Sequence, residues 1–393
     1  MIEGLLSRLC TTYDFSLPAL RRLAEVLSIR ELIMYLEEAR SPGSLYYLRV
    51  NTLRASRECV IKLLREEGFN AFPSRLLKEA IYLEVRGPFV IRPQGKPVFV
   101  DKATAESAYM GAHVYAPGVK KAPRVREGDT VTVYDPRGNA VAIGIAEMDG
   151  EEMETTKRGL AVRNIASVFR VPSVRETRAF KEGLVYDQSL PAMLATAALA
   201  PKPGWFVIDL CAAPGGKATH AAQLMLDEGV ILAVDRNPAK VSRLQENVSR
   251  LGIRCIKTFV KDSRYLDTEL GIEEEADAVI VDPPCSALGV RPKLYYDKTQ
   301  SDLIAYPPYQ RQFLRVAARL VKPGGLVLYS TCTVTLEENE FLILSARKYG
   351  LYPITHRPFY GTTSPLLGPL GQRFYPHIHD TPGFFIAVLR KAS

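Results

Sequence analysis

Apolar positions along the chain change their spacing twice, and each change announces a different kind of structure. Over the first forty residues they keep a helical period: Leu20, Leu23, Val26 and Leu27 recur together, and Ile33, Leu36 and Ala39 continue the pattern after Ile29. Ser41-Pro42-Gly43 breaks it. Strands are expected at 46–51 and 80–85 and a helix at 58–67, so 1–95 reads as a small α+β unit whose helical stretch starts at Met1. From Lys96 to Arg170 the apolar runs are short and β-like, with Gly and Pro between them. Runs at 128–134 and 140–145, joined by Asp135-Pro136-Arg137-Gly138-Asn139, spell a hairpin inside a compact barrel over 96–170.

A charged connector follows at 171–192, and the region 193–393 alternates. Strands are expected at 205–210, 230–235, 254–260, 276–282, 325–330 and 383–389. Helices are expected at 195–200, 217–226, 238–251, 311–321 and 337–348. Nearly continuous apolar strands separated by amphipathic helices predict an α/β class, with a doubly wound, mostly parallel sheet. Such sheets bind ligands beyond the carboxyl ends of their strands.

Composition narrows this only modestly. The 393 residues are 47% hydrophobic and 24% charged, enough apolar material for sizeable cores. Lys and Arg number 51 against 43 Asp and Glu, and the net charge of +8 favours a polyanionic partner. Lys120, Lys121, Arg124 and Arg126 cluster beside the expected barrel, and Arg21, Arg22, Arg49 and Arg54 lie in the amino-terminal unit. These are candidate phosphate contacts, solvated surface charge being the alternative. No apolar run approaches the ~20 residues that span a bilayer, and residues 1–14 lack the pattern of a signal peptide. A cytoplasmic protein without a membrane partner is expected. The six cysteines form no Cys-x-x-Cys pair, which argues against a zinc site or a disulfide framework, and no metal is expected.

The chemistry gathers at expected strand ends. The first strand runs into Asp209-Leu210-Cys211-Ala212-Ala213-Pro214-Gly215-Gly216-Lys217, a sharp glycine turn before a helix. It is neither the dinucleotide fingerprint nor a Walker loop. Asp235, followed by Arg236, ends the second strand, where a carboxylate accepts ribose hydroxyls; Asp262 ends the third, where one accepts the amine of adenine. Ribose and adenine without pyrophosphate point to S-adenosylmethionine, helix capping by both aspartates being the alternative. Asp282-Pro283-Pro284-Cys285-Ser286 and Ser330-Thr331-Cys332-Thr333 end the next two strands and put two thiols beside that cofactor. A thiolate is the nucleophile that cytosine C5 chemistry needs, because its addition to C6 makes C5 carbanion-like.

Those three motifs resemble the Sun-type family of RNA cytosine-C5 methyltransferases, over roughly Leu190 to Lys391, and Arg49-Val50-Asn51-Thr52-Leu53-Arg54 resembles that family's amino-terminal signature. Val98–Ala108, Gly111–Val119, 128–133 and 142–146 resemble in order a PUA domain, a small RNA-binding pseudo-barrel. The resemblance implies a Rossmann-like S-adenosylmethionine-dependent methyltransferase sheet, a small amino-terminal α+β unit and an inserted PUA β-barrel. It implies that Cys332 attacks C6, that Asp282 and Lys217 contact the base, and that Cys285 assists C5 proton loss and enzyme release. It implies cofactor contacts from Cys211, Ala212, Ala213, Pro214, Gly215, Gly216, Lys217, Asp235, Arg236, Asp262 and Asp282. RNA contacts are expected from Lys120, Lys121, Arg124, Arg126, Arg49 and Asn51. The domain arrangement resembles the subgroup that methylates tRNA at position 72 of the acceptor stem, so tRNA is the expected partner of a monomeric enzyme. Ribosomal RNA is the alternative substrate, and the exchange of the two cysteine roles is the alternative mechanism. An exocyclic-amine methyltransferase, which places an aromatic where Cys285 stands, and a non-catalytic RNA-binding or assembly protein are the rival functions. Ala287 departs from the family's usual Gly.

Overall fold

Residues 2–156 and 158–393 are described by a computed structural model. Met1, included in the first expected helix, lies outside the described residues.

Five parallel strands form the heart of the carboxyl-terminal region. Their order across the sheet is Ile256–Val260, Val230–Asp235, Phe206–Asp209, Ala276–Val281 and Val321–Thr331. The chain therefore winds outward from Phe206–Asp209 in one direction, then returns to its other side with Ala276–Val281. This reversal opens a crevice at the carboxyl ends of the two central strands. Their side chains are buried on both faces: Val207, Ile231 and Ala278 pack in one apolar cluster, and Ile208, Val279 and Val327 in the other. That explains the unbroken apolar runs.

Antiparallel strands then extend the sheet. Phe384–Lys391 pairs with Val321–Thr331, and Gly368–Phe374 and Thr362–Ser364 continue outward, while Leu351–Ile354 pairs with Phe384–Lys391 as well. The sequence reading did not anticipate the three strands between 351 and 374. A helix over Gln300–Leu320 is also longer than expected. It starts at a capping box, with Thr299 accepting from the Asp302 amide and Asp302 accepting from Thr299, and passes through Pro307 and Pro308. Prolines normally break a helix interior, so the expected start at 311 fell after them.

The amino-terminal α+β unit has the strand order Ala71–Pro73, Ala80–Glu84, Leu45–Val50 and Val185–Asp187. Its edge strand thus comes from the segment read as a connector, antiparallel to Leu45–Val50 with Arg49 opposite Tyr186. Among the described residues, the barrel has six strands between Lys96 and Ser167, and the expected hairpin pairs Thr130–Tyr134 with Ala140–Ala146.

The helices Ile2–Tyr13, Leu17–Ala24 and Ile29–Ala39 leave the α+β unit and pack on the catalytic side. Leu20, Leu32 and Leu36 share a core with Leu288, Tyr296 and Val334. Tyr35 donates to the Leu288 carbonyl (2.8 Å), and the Lys293 amide donates to the Ala39 carbonyl (2.7 Å). The barrel meets the same loop from another side: the Leu294 amide donates to Glu106 at 3.1 Å, and Lys102 lies 4.4 Å from the Tyr295 ring centroid. Segment 287–296, directly after Cys285, is therefore braced by both appended units.

Candidate active site

The glycine loop owes its course to local stereochemistry. Gly215 has φ +113°, and a Cβ there would stand 2.7 Å from Leu244 Cδ1, so only glycine fits. Gly216 then begins the helix Gly216–Leu224, whose face toward the sheet buries Ala218, Ala221 and Ala222. The loop encloses a cavity of about 220 Å³ lined by Cys211, Ala213, Pro214, Lys217, Gln188 and Asp282. Beneath it, burial raises Asp209 to a pKa of about 7. The Cys211 thiol, in the cavity wall, is pushed far up by burial.

Asp282 ends the strand Ala276–Val281 and is clamped on both oxygens. Lys217 Nζ donates to Oδ2 at 2.6 Å, and Ser330 Oγ donates to Oδ1 at 2.9 Å. Lys217 is buried, its ammonium 5.4 Å from the Phe384 ring centroid. The two motif cysteines, both half-buried, meet with sulfurs 3.2 Å apart. A hydrogen bond from the Cys285 thiol lowers the Cys332 pKa, helped by the charges of Lys217 and Lys293. The same bond, together with burial, raises Cys285. Of the two thiols, Cys332 is therefore the one whose charged form is favoured.

A buried polar frame fixes the two loops. Glu338 Oε2 accepts from the Ser286 amide (2.9 Å) and from Gln310 Nε2 (2.8 Å), while Gln310 also donates to the Pro284 carbonyl. Ser286 and Thr333 hydroxyls pair at 2.7 Å, and the Gly289 amide donates to the Cys332 carbonyl at 3.0 Å. Neither Glu338 nor Lys293 was singled out from the sequence. A charged residue read from sequence alone counts as surface, and only burial in the fold sets these two apart.

Asp235 and Asp262 stand at the ends of adjacent strands, both half-exposed. Asn237, not Asp235, caps the helix Pro238–Leu251. Asp262 does cap a short 3₁₀ turn, accepting from the Arg264 amide, and the Arg264 side chain pairs with it as well. The Arg264 guanidinium holds the Asp262 carboxyl below its usual range. Arg236 is exposed, its guanidinium 5.8 Å from the Tyr309 ring centroid.

The expected RNA contacts divide. Lys120, Lys121, Arg124 and Arg126 are exposed on the barrel, with Arg126 paired to Asp149 at 2.8 Å. Arg49 and Asn51 are corrected: both are buried. Arg49 donates to Gln188, to the Gly216 carbonyl (2.7 Å) and to Thr219 Oγ1 (2.7 Å). Asn51 Nδ2 donates to the carbonyls of Gly183 (3.0 Å) and Leu251 (2.9 Å). A buried guanidinium pairs with groups inside the protein, so both residues join the α+β unit to the catalytic region instead of facing RNA. Arg22 is likewise buried against Glu337, and Arg54 donates to the Glu182 and Arg250 carbonyls.

Among the described residues, no helix is long and apolar enough to cross a membrane, and no cluster of three or more His, Cys, Asp and Glu could hold a metal ion.

Known proteins match this arrangement along nearly the whole chain. The family described as 16S rRNA methyltransferase RsmB/F matches residues 196–390, a PUA domain matches 96–168, and the RsmF/B-like ferredoxin-like domain matches 36–89. The tRNA (cytosine(72)-C(5))-methyltransferase of Pyrococcus horikoshii is 42% identical, over 91% of this chain and 92% of its own. The Mus musculus tRNA (cytosine(72)-C(5))-methyltransferase NSUN6 is 34% identical over 76% of this chain and 70% of its own. The crystal structure of NSun6 from Pyrococcus horikoshii with SFG, an S-adenosylmethionine analogue, superposes with a TM-score of 0.89 at 40% identity, covering 97% of this chain and 99% of that one.

Proposed function

The chain belongs to the Sun-type family of RNA cytosine-C5 methyltransferases, and from that premise we propose that it forms 5-methylcytosine at position 72 of the tRNA acceptor stem. One observation carries the chemistry: the Cys285–Cys332 pair, 3.2 Å between sulfurs, set beside an Asp282 that Lys217 and Ser330 clamp. The ribosomal alternative has matches at 196–390 and 36–89 but none over the barrel, whereas the tRNA enzyme is 42% identical over 91% of the chain.

The cofactor is S-adenosylmethionine, which supplies an electrophilic methyl group. The cavity of about 220 Å³ under the glycine loop suits its amino-acid end, with the unpaired amide nitrogen of Gln188 in its wall. Cys211 to Lys217 would hold its amino-acid end, Asp235 and Arg236 its ribose, and Asp262 its adenine.

Cys332, as its thiolate, would add to C6 of the cytosine and shift electron density to C5. Asp282 and Lys217 bind the base edge near N3 and N4 and steady the charge that develops there. After the methyl reaches C5, the C5 proton leaves and the bond between C6 and Cys332 breaks, which restores the 5,6 double bond. Cys285 suits the proton step. Its thiol is raised foremost by the hydrogen bond to Cys332, then by burial and the Cys332 charge. That hydrogen bond and that charge are lost while Cys332 is bonded to C6, so Cys285 can give up its own proton to solvent and take the C5 proton as thiolate. Reaching C5 requires the base to leave its stack, which costs a few kcal/mol and least at a stem end. The barrel over 96–170 and the amino-terminal unit grip the acceptor end to offset this cost.

Covalent trapping tests the cysteine roles. A Cys285→Ala protein accumulates an RNA adduct that survives denaturing electrophoresis, and Cys332→Ala forms none. The opposite pair of results exchanges the two roles.

A further inference from the structure

We propose that Gln188 is a ligand of the methyl donor's amino-acid carboxylate, and that Arg49 is the positioning residue that turns its amide toward the cofactor. The proposal rests on the S-adenosylmethionine assignment and extends it into the amino-terminal unit.

Gln188 is 5% exposed and lines the cofactor cavity together with Gly216, Lys217 and Asp209. Arg49 Nη1 donates to Gln188 Oε1, and the same nitrogen reaches the Gly216 carbonyl at 2.7 Å. A guanidinium has donors only. The atom of the amide that faces Arg49 is therefore the oxygen, whichever way the amide is first assigned, and the NH₂ group must point away from Arg49. That nitrogen is buried without a hydrogen-bond partner. A buried donor left unsatisfied is costly, so its place in a cavity wall marks a ligand acceptor.

Around the amide itself the geometry favours an anion, while Asp187, Asp209 and Asp282 line the same cavity and suit the methyl donor's ammonium. A Cβ built on Gly216 would lie 3.6 Å from Gln188 Nε2, so the amide stands at the first residue of the helix Gly216–Leu224. The cap residue of that helix, Gly215, offers no side-chain acceptor to the free amides of the first turn. An amide NH₂ and a helix amino terminus that converge on one cavity make a site for a small anion. The nearby cation is already engaged, since Lys217 Nζ donates to Asp282 at 2.6 Å. The donor carries one anionic group, its amino-acid carboxylate. Arg49 completes the arrangement by also donating to Thr219 Oγ1, which itself donates to the Gly215 carbonyl at 2.6 Å. Amide and loop are thus held in one register by one side chain of the amino-terminal sheet.

Calorimetric binding of S-adenosylhomocysteine and of 5′-methylthioadenosine, which lacks the amino-acid carboxylate, tests this without relying on turnover. Q188L is expected to lose about ten- to a hundredfold in affinity for the first, as befits a hydrogen bond to a charged group, and under twofold for the second. Q188E keeps an acceptor for Arg49, so its loop stays braced, but meets the carboxylate with a like charge; its selective loss is expected to be at least as large. R49M should show the same selectivity, whereas N51A, which breaks the same domain contact without touching the loop, should not. Equal weakening of both ligands by Q188L and Q188E, or no weakening at all, overturns the role of Gln188. Matching losses in R49M and N51A overturn that of Arg49. A wild-type protein that binds neither nucleoside overturns the cofactor assignment instead.

Discussion

Cys285 and Cys332 lie 47 residues apart in the chain and 3.2 Å apart between sulfurs. The contact follows from topology: Ala276–Val281 and Val321–Thr331 are parallel neighbours, so the loops leaving them emerge side by side. Their asymmetry has several causes: Cys332 is lowered foremost by the hydrogen bond from Cys285, and Lys217 and Lys293 add to that against burial and Asp282.

That asymmetry is measurable. Cys332 is the group lowered below the ordinary thiol value, so its alkylation rate should level off at lower pH than that of a free cysteine. Lys293, itself buried and lowered to about 8, supplies part of the positive charge. Lys293→Met should therefore move the alkylation midpoint of Cys332 upward and slow its reaction at pH 7. Mass-spectrometric alkylation profiles of the two proteins check this, and an unmoved midpoint would remove Lys293 from the electrostatics.

Ala287 has φ +58°. An L-residue with a Cβ pays roughly 1–2 kcal/mol in that region, while glycine loosens the unfolded chain by about 0.4–1 kcal/mol. Ala287→Gly should thus stabilise the protein by about 0.5–1 kcal/mol, seen as a higher urea midpoint at unchanged slope.

The basic residues are expected to separate by salt dependence. Each phosphate contact contributes about 0.7–0.9 to the slope of log affinity against log salt. Lys120→Ala and Lys121→Ala, both at exposed barrel positions, should each flatten the slope for tRNA by about that amount. Asn51→Ala should leave the slope alone and instead cost about 1–3 kcal/mol of stability, because it strands two buried carbonyls.

The motifs were legible because each lies within nine consecutive residues and the sheet only has to align them. Fully buried parallel strands were legible too, since both their faces are apolar. Strands such as Thr362–Ser364 and Gly368–Phe374 were not: they are short, polar in places and defined by a partner far along the chain. Arg49 shows the deeper limit. Charge in a signature motif suggests a charged ligand, but this buried guanidinium donates from both Nη atoms to Gln188, Gly216 and Thr219. Nothing local in the sequence marks a buried arginine.

The most direct test of the account is methyl transfer from labelled S-adenosylmethionine to a tRNA transcript, beside the same transcript with cytosine 72 changed to uracil. Label on the first and none on the second is the expected result. Equal label on both, or label on ribosomal RNA with neither tRNA modified, would contradict it.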